Sequence, residues 1–186
     1  MIFNKHWNLT GQHAFLGASN YHWTNYDVEK LDQVYRNMLA VKRGTDLHDL
    51  AIRCIELGVK LPKTKVSLNQ FVNDAIGYQM TPEQILYYSE NCFGTADAIA
   101  FKNGKLRIHD LKTGKTAVSM RQLEVYAALF CLEYHFKPID IQIELRIYQT
   151  GETEIVNPDP EDIAYIMDKI ITFDKHITRI KEEEMS

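Results

Sequence analysis

The sequence predicts an α+β fold: a small mixed sheet flanked by helices. Three observations predict it. Apolar residues recur at helical spacing through roughly the first 80 positions, short strand-like runs around a tight turn fill the middle, and a strand set between two helical stretches closes the chain. At 186 residues the chain is expected to form one domain, with an N-terminal helical segment over about 1–80 and a core over about 81–186.

The elements follow in order. The stretch to Tyr26, rich in aromatic residues, His and Asn, reads as a mostly irregular arm. Val28, Leu31, Val34, Tyr35, Met38 and Leu39 make Asp27–Val41 a helix. Gly44 interrupts it, and Thr45 is placed to cap a second helix that ends at Gly58. Ser67 and Gln70 form a capping-box pattern for a helix to about Tyr78. Thr81 and Gln84 repeat that pattern, with Pro82 at the first helical position. Two strands are expected at Ile85–Cys92 and Gly94–Phe101, and Asn103-Gly104 is a two-residue hairpin signal leading into Lys105–Lys112. A long helix is expected over Thr116–His135. Ile139, Ile141, Ile143, Leu145 and Ile147 alternate with polar residues, as in a strand with one buried face. After Asn157 and Pro158, Asp159 and Pro160 start a last helix carrying Ile163, Ile166, Met167, Ile170 and Phe173 on one side.

Composition narrows the class. Hydrophobic residues at 45% and charged residues at 25% leave ample material for a core. No apolar run approaches the roughly 20 residues that span a bilayer, so no membrane partner is expected. The first residues hold no apolar stretch of the kind a secretory signal carries, and a soluble cytoplasmic protein is expected. Cys54, Cys92 and Cys131 are scattered and odd in number, which argues against a disulfide framework and against an iron–sulfur cluster. The net charge is −4, yet Lys102, Lys105, Arg107, Lys112, Lys115 and Arg121 face Asp110 alone within their stretch. Phosphate binding needs a local positive surface, not a basic average.

Counting back from Asn103-Gly104 pairs Lys102 with Lys105, Ala100 with Arg107 and Ile99 with Ile108, and it sets Asp97 opposite Asp110. Side chains alternate across a strand, so Asp97, Ile99 and Phe101 share a face with Leu106, Ile108, Asp110 and Lys112. Four of those seven are core residues, so two carboxylates and an ammonium stand at one end of a buried face. Carboxylates that close repel and are poorly hydrated. Lys112 offsets part of this, and a divalent cation would offset more, since carboxylate oxygens suit Mg²⁺ and Mn²⁺. The alternative is a partly buried Asp–Lys–Asp ion-pair cluster.

The segments Gly94-Thr-Ala-Asp97, Asp110-Leu-Lys112-Thr-Gly and Gln122-Leu-Glu-Val-Tyr126 resemble the RecB-type branch of the PD-(D/E)XK nuclease superfamily. Gly44-Thr-Asp-Leu-His48 is similar to its upstream GxxxH element. The run from His13 to Trp23 is similar to the Ser-containing entry segment of phage-encoded members. The resemblance implies a restriction-endonuclease-like core and hydrolysis of DNA with Mg²⁺ or Mn²⁺. It implies that Asp97, Asp110, His48 and the Leu111 carbonyl bind metal. Lys112 would act on water and phosphate, and Gln122 and Tyr126 would orient the site. Ser19, Lys115 and Arg121 are the expected DNA contacts. Asp110 stands where many relatives carry Glu, and the cysteine set of the CRISPR-associated exonucleases is missing. Glu90 is set aside, because strict alternation puts it on the opposite face from Asp97. An exonuclease of DNA recombination or replication is expected, acting in the host cytoplasm if phage-encoded, with a single-strand annealing protein or further copies of itself as partners. The alternatives are a structure-specific or nicking endonuclease, and a non-catalytic DNA-binding module.

Overall fold

The structure, a computed structural model, describes residue 7, residues 13–116 and residues 118–184. Most of the expected N-terminal arm before His13 lies outside the described residues, as does position 117 in the expected long helix. By internal contact the chain divides into two units, one ending at Thr45 and one beginning at Asp46.

In the first unit residues 13–17 are irregular as expected, while Ala18–Asn25 forms 3₁₀ turns, kinked at Asn20. The Trp23 indole N–H donates to the Gly17 carbonyl at 3.0 Å, and the Phe15 and Tyr35 rings meet edge to face at 5.0 Å. Asp27 caps α1 (Val28–Glu56), its Oδ1 accepting from the Lys30 N–H at 2.7 Å. The expected pair of helices is this single helix. Thr45 does not cap, because its hydroxyl reaches back to the Val41 carbonyl, the bond a mid-helix Thr makes with the preceding turn. Gly58 ends the helix as expected, at φ 65°, with its own N–H on Ile55 and the Val59 N–H on Cys54.

The second unit is α+β, with a mixed sheet flanked by helices. The sheet has five strands in the order β1 (Thr81–Ser89), β2 (Cys92–Lys102), β3 (Lys105–Lys112), β4 (Gln142–Gln149) and β5 (Glu152–Val156). Asn103 and Gly104, both at positive φ, turn β2 into β3 in the counted register: Lys102 with Lys105, Ala100 with Arg107, Ile99 with Ile108. β3 and β4 are parallel and the other neighbours antiparallel. The β3–β4 connection carries α3 (Arg121–Glu133), shorter than expected, because residues 113–116 and 118–120 leave β3 as a loop.

Helices cover both faces. On one, α3 and α4 (Pro160–Glu184) bury Ile99, Leu106, Ile108, Leu145 and Ile147 against Leu123, Leu129, Ile163 and Ile166. On the other, α2 (Ser67–Tyr78) and the end of α1 bury Ala98, Leu111 and Tyr148 against Phe71, Val72 and Ala51. Phe173, expected on the inner side of α4, is 58% exposed.

Three expectations are corrected. Thr81-Pro82 opens a strand instead of a helix; Pro82 pairs with Ala98 on an edge strand, where a missing N–H is tolerated. Ser67 does not cap α2, since its hydroxyl accepts the Gly151 N–H at 2.8 Å. β4 is buried on both faces instead of one, and Ile139 lies outside it in a 3₁₀ turn, 74% exposed. Glu144 is buried and Arg146 half-buried because they pair. Glu144 meets Lys105, Arg107 and Arg146; Arg146 meets Asp74; and the Tyr148 hydroxyl donates to Asp74 at 2.7 Å. β5 was not expected. Its hairpin turns on Thr150-Gly151, both at positive φ, a weaker signal than Asn-Gly. Among the described residues no helix is long and apolar enough to cross a membrane.

Candidate functional site

The carboxyl-terminal end of β3 gathers most of the residues singled out in the sequence. The regular β2–β3 pairing ends at Ala98 with His109, so Asp97 and Asp110 stand one step beyond it. There the bonding changes hands. The Leu111 N–H donates to Asp97 Oδ2 at 2.9 Å. The Leu111 side chain lies in the core beneath α2, so only its backbone is at the site.

Asp110 points into the α3 face with its side chain 3% exposed. Lys112, two residues on and on the same face, sets Nζ 3.1 Å from its Oδ1 and 3.0 Å from its Oδ2. Oδ2 accepts no hydrogen bond of good geometry among the described residues. A buried carboxylate oxygen in that position is costly unless something else binds it. Burial, then repulsion from Asp110, pushes Asp97 up to about 6, against the pull of the Leu111 N–H, His48 and Lys112. A further positive charge between the two carboxylates would relieve both costs.

Lys112 also links the strand to α3. Its ammonium donates to Gln122 Oε1 at 2.9 Å, and Gln122 Nε2 donates to the Tyr126 hydroxyl at 2.9 Å. The i, i+4 spacing of Gln122 and Tyr126 puts both on one helix face. The Tyr126 ring lies against Gly94 on β2, where an added Cβ would fall 2.8 Å from Tyr126 Cε1. That contact explains in physical terms why a glycine precedes Asp97 by three residues. Gly94→Ala must push the tyrosine aside and loosen Gln122 and Lys112 with it. If the site cleaves DNA, the variant is expected to lose about tenfold to a hundredfold in rate with little change in melting temperature, read by parallel cleavage assays and thermal melts.

His48 enters from α1, its Nδ1 3.4 Å from Asp97 Oδ2. Glu83, which the sequence reading missed, joins it: His48, Glu83 and Asp97 each offer a ligand atom, all within 4.8 Å of one another. Pro82 pairs with Ala98 and Gln84 with Ala96, so Glu83 falls opposite Asp97, at a positive φ of 48°. Reading Thr81–Gln84 as a helix start hid it; reading it as the strand that precedes β2 would have shown an acid across from Asp97. Glu90 lies in the β1–β2 turn instead.

The outer candidates divide. Lys115 lines an open cleft beside Lys112. Arg121 is not part of this constellation: it pairs with Glu124 at 2.9 Å and lines a groove along α4. Ser19 is exposed in the 3₁₀ turns of the first unit. The basic run also splits, since Lys105 and Arg107 stand at the far end of β3 on Glu144. The oxygens of Asp97 and Asp110 and the His48 imidazole are donors suited to a divalent first-row or alkaline-earth cation, and the buried Asp110 Oδ2, with no hydrogen bond of good geometry among the described residues, fits such an ion.

A family described as "Protein of unknown function (DUF2800)" has a model that matches residues 80–157. The matched span takes in all five strands and α3, and with them every residue of the constellation except His48. No curated protein and no solved structure matches the chain.

Proposed function

We propose that this protein is a metal-dependent deoxyribonuclease that hydrolyses DNA phosphodiester bonds from an end. One observation carries the reading: two acidic side chains and an ammonium converge at the end of β3, where the deeply buried carboxylate of Asp110 has Lys112 as its one ion-pair partner among the described residues. The resemblance to the PD-(D/E)XK nucleases supports it.

On this reading Asp97 and Asp110 hold Mg²⁺ or Mn²⁺, with His48 and the Leu111 carbonyl beside them. The ion supplies an acidified water and neutralises charge on the phosphoryl oxygens. Lys112 holds the remaining charge as a point donor on a phosphate oxygen. Gln122 and Tyr126 fix where that ammonium can go, through the chain of bonds from α3. Water adds to phosphorus, one ester P–O bond breaks, and the departing oxygen takes up a proton. Action in recombination or replication, beside an annealing protein or as an assembly of copies, belongs to the same reading.

The test is digestion of end-labelled linear DNA beside a covalently closed circle of the same sequence. Linear DNA is expected to be degraded with Mn²⁺ and spared in EDTA, while the circle survives. Cutting of the circle would replace the exonuclease with a nicking or structure-specific endonuclease. No cleavage of either substrate with any divalent ion would leave a DNA-binding module.

A further inference from the structure

A cleft of about 1040 Å³ opens directly on Lys112. One wall is the segment entering α2, with Lys65 and Val66; the other is the loop after β3, with Gly114 and Lys115; Thr150–Glu152 of the β4–β5 turn close one side.

Both walls are pinned by named bonds. Ser67 accepts the Gly151 N–H at 2.8 Å, and Gln70 Nε2 donates to the Gly151 carbonyl at 3.0 Å. Gly151 also lies so close to the Lys65 carbonyl that a Cβ there would sit 2.8 Å from it. Across the cleft, Gln149 Nε2 donates to the carbonyls of Gly114 at 2.7 Å and Thr116 at 2.9 Å. The cleft is therefore preformed, which spares a ligand the cost of ordering its walls.

Its lining is net positive: Lys65, Lys112 and Lys115 stand against Glu152 alone. Lys65 and Lys115 are exposed and make no hydrogen bond or ion pair among the described residues, unlike Lys105 and Arg107, which pair with Glu144. The sequence entering α2 adds Lys60 and Lys63, with no acidic residue from Leu57 to Asn73. Leu47, Val66 and Leu68 also line it. Free ammonium groups beside aliphatic side chains match a ligand with anionic groups at intervals and apolar faces between them. The volume is that of a site for a few small units, at the top of the range for ligand pockets.

We propose that this cleft seats one single strand of DNA, with Lys65 and Lys115 each holding a backbone phosphate beside the one at Lys112. The inference rests on the nuclease reading for the identity of the strand, but its test does not depend on cleavage. Binding of a fluorescently labelled (dT)₂₀ is followed by anisotropy in EDTA, against salt, for the unchanged protein and for Lys65→Ala/Lys115→Ala. Lys175→Ala on α4 is the control. The single strand is expected to bind at least about tenfold more tightly than a blunt duplex of equal length. The double variant is expected to weaken it by about tenfold or more and to flatten the log–log salt slope by about 1.4, roughly 0.7 for each phosphate no longer held. Both lysines are exposed and unpaired among the described residues, so its melting temperature should match that of the unchanged protein. An unaltered slope in the double variant, an equal loss in Lys175→Ala, or equal affinity for duplex and single strand would overturn the assignment. Failure of the digestion described above, with this binding pattern intact, counts against the chemistry at Asp97 and Asp110 and not against the cleft.

Discussion

Asp110→Asn is expected to lower DNA hydrolysis by at least about a thousandfold while leaving the protein folded. Asn is nearly isosteric, so the β3–β4 pairing of Asp110 with Ile147 and the packing under α3 should persist. What goes is one of two negative charges that together favour a cation. The same change removes the repulsion that helps hold Asp97 up at about 6, so the metal-free variant should melt no lower than the parent. Titration calorimetry with Mn²⁺ should show the affinity falling with the activity. A variant that cleaves at a normal rate, or one that binds Mn²⁺ unchanged, would sink the proposed metal centre.

Lys112→Ala is expected to abolish cleavage to a similar degree for a different reason, and to cost stability as well. The ammonium is the charged partner of a carboxylate whose side chain is 3% exposed. Removing one member of such a pair strands the other. Lys112 itself is 26% exposed, so the cost is discounted from the fully buried case to about 1–3 kcal/mol. Added Mn²⁺ should restore much of that loss by giving Asp110 another positive neighbour, without restoring cleavage. Activity retained in this variant would mean that the ammonium only balances charge and takes no part in the chemistry.

The two variants test a neighbourhood that was largely legible beforehand. The pairing of β2 with β3 follows from counting outward from Asn103-Gly104, because a two-residue turn at positive φ leaves a single register, and the period of two then assigns every side chain to a face. Asp97, Asp110 and Lys112 are close in sequence across that turn, so local geometry alone brings them together. Gln122 and Tyr126 were legible as a helical pair.

Less was visible where a residue's neighbour comes from far along the chain. Glu83 comes opposite Asp97 only because β1 pairs with β2, and its Thr-Pro-x-Gln context is equally good grammar for a helix start. Ser67 fits a cap, yet a turn 84 residues away takes its hydroxyl. Glu144 and Arg146 look like the solvent side of a strand, and ion pairs with Lys105, Arg107 and Asp74 let Glu144 be buried and Arg146 half-buried. Arg121 and Lys115 belong to one basic run but line different grooves, because α3 begins between them and turns the chain.

The sequence by itself determined the class of fold, the hairpin with its register, and the face on which two acids and a lysine meet. Those depend on backbone dihedrals and side-chain periods that reach only a few residues. The tertiary structure decided the fifth strand, the single long α1, the second buried face of β4, the acid across from Asp97 and the cleft beside Lys112. Each of these depends on which distant segment satisfies a polar group or covers an apolar face, and that competition is settled only when the whole sheet has closed between its helices.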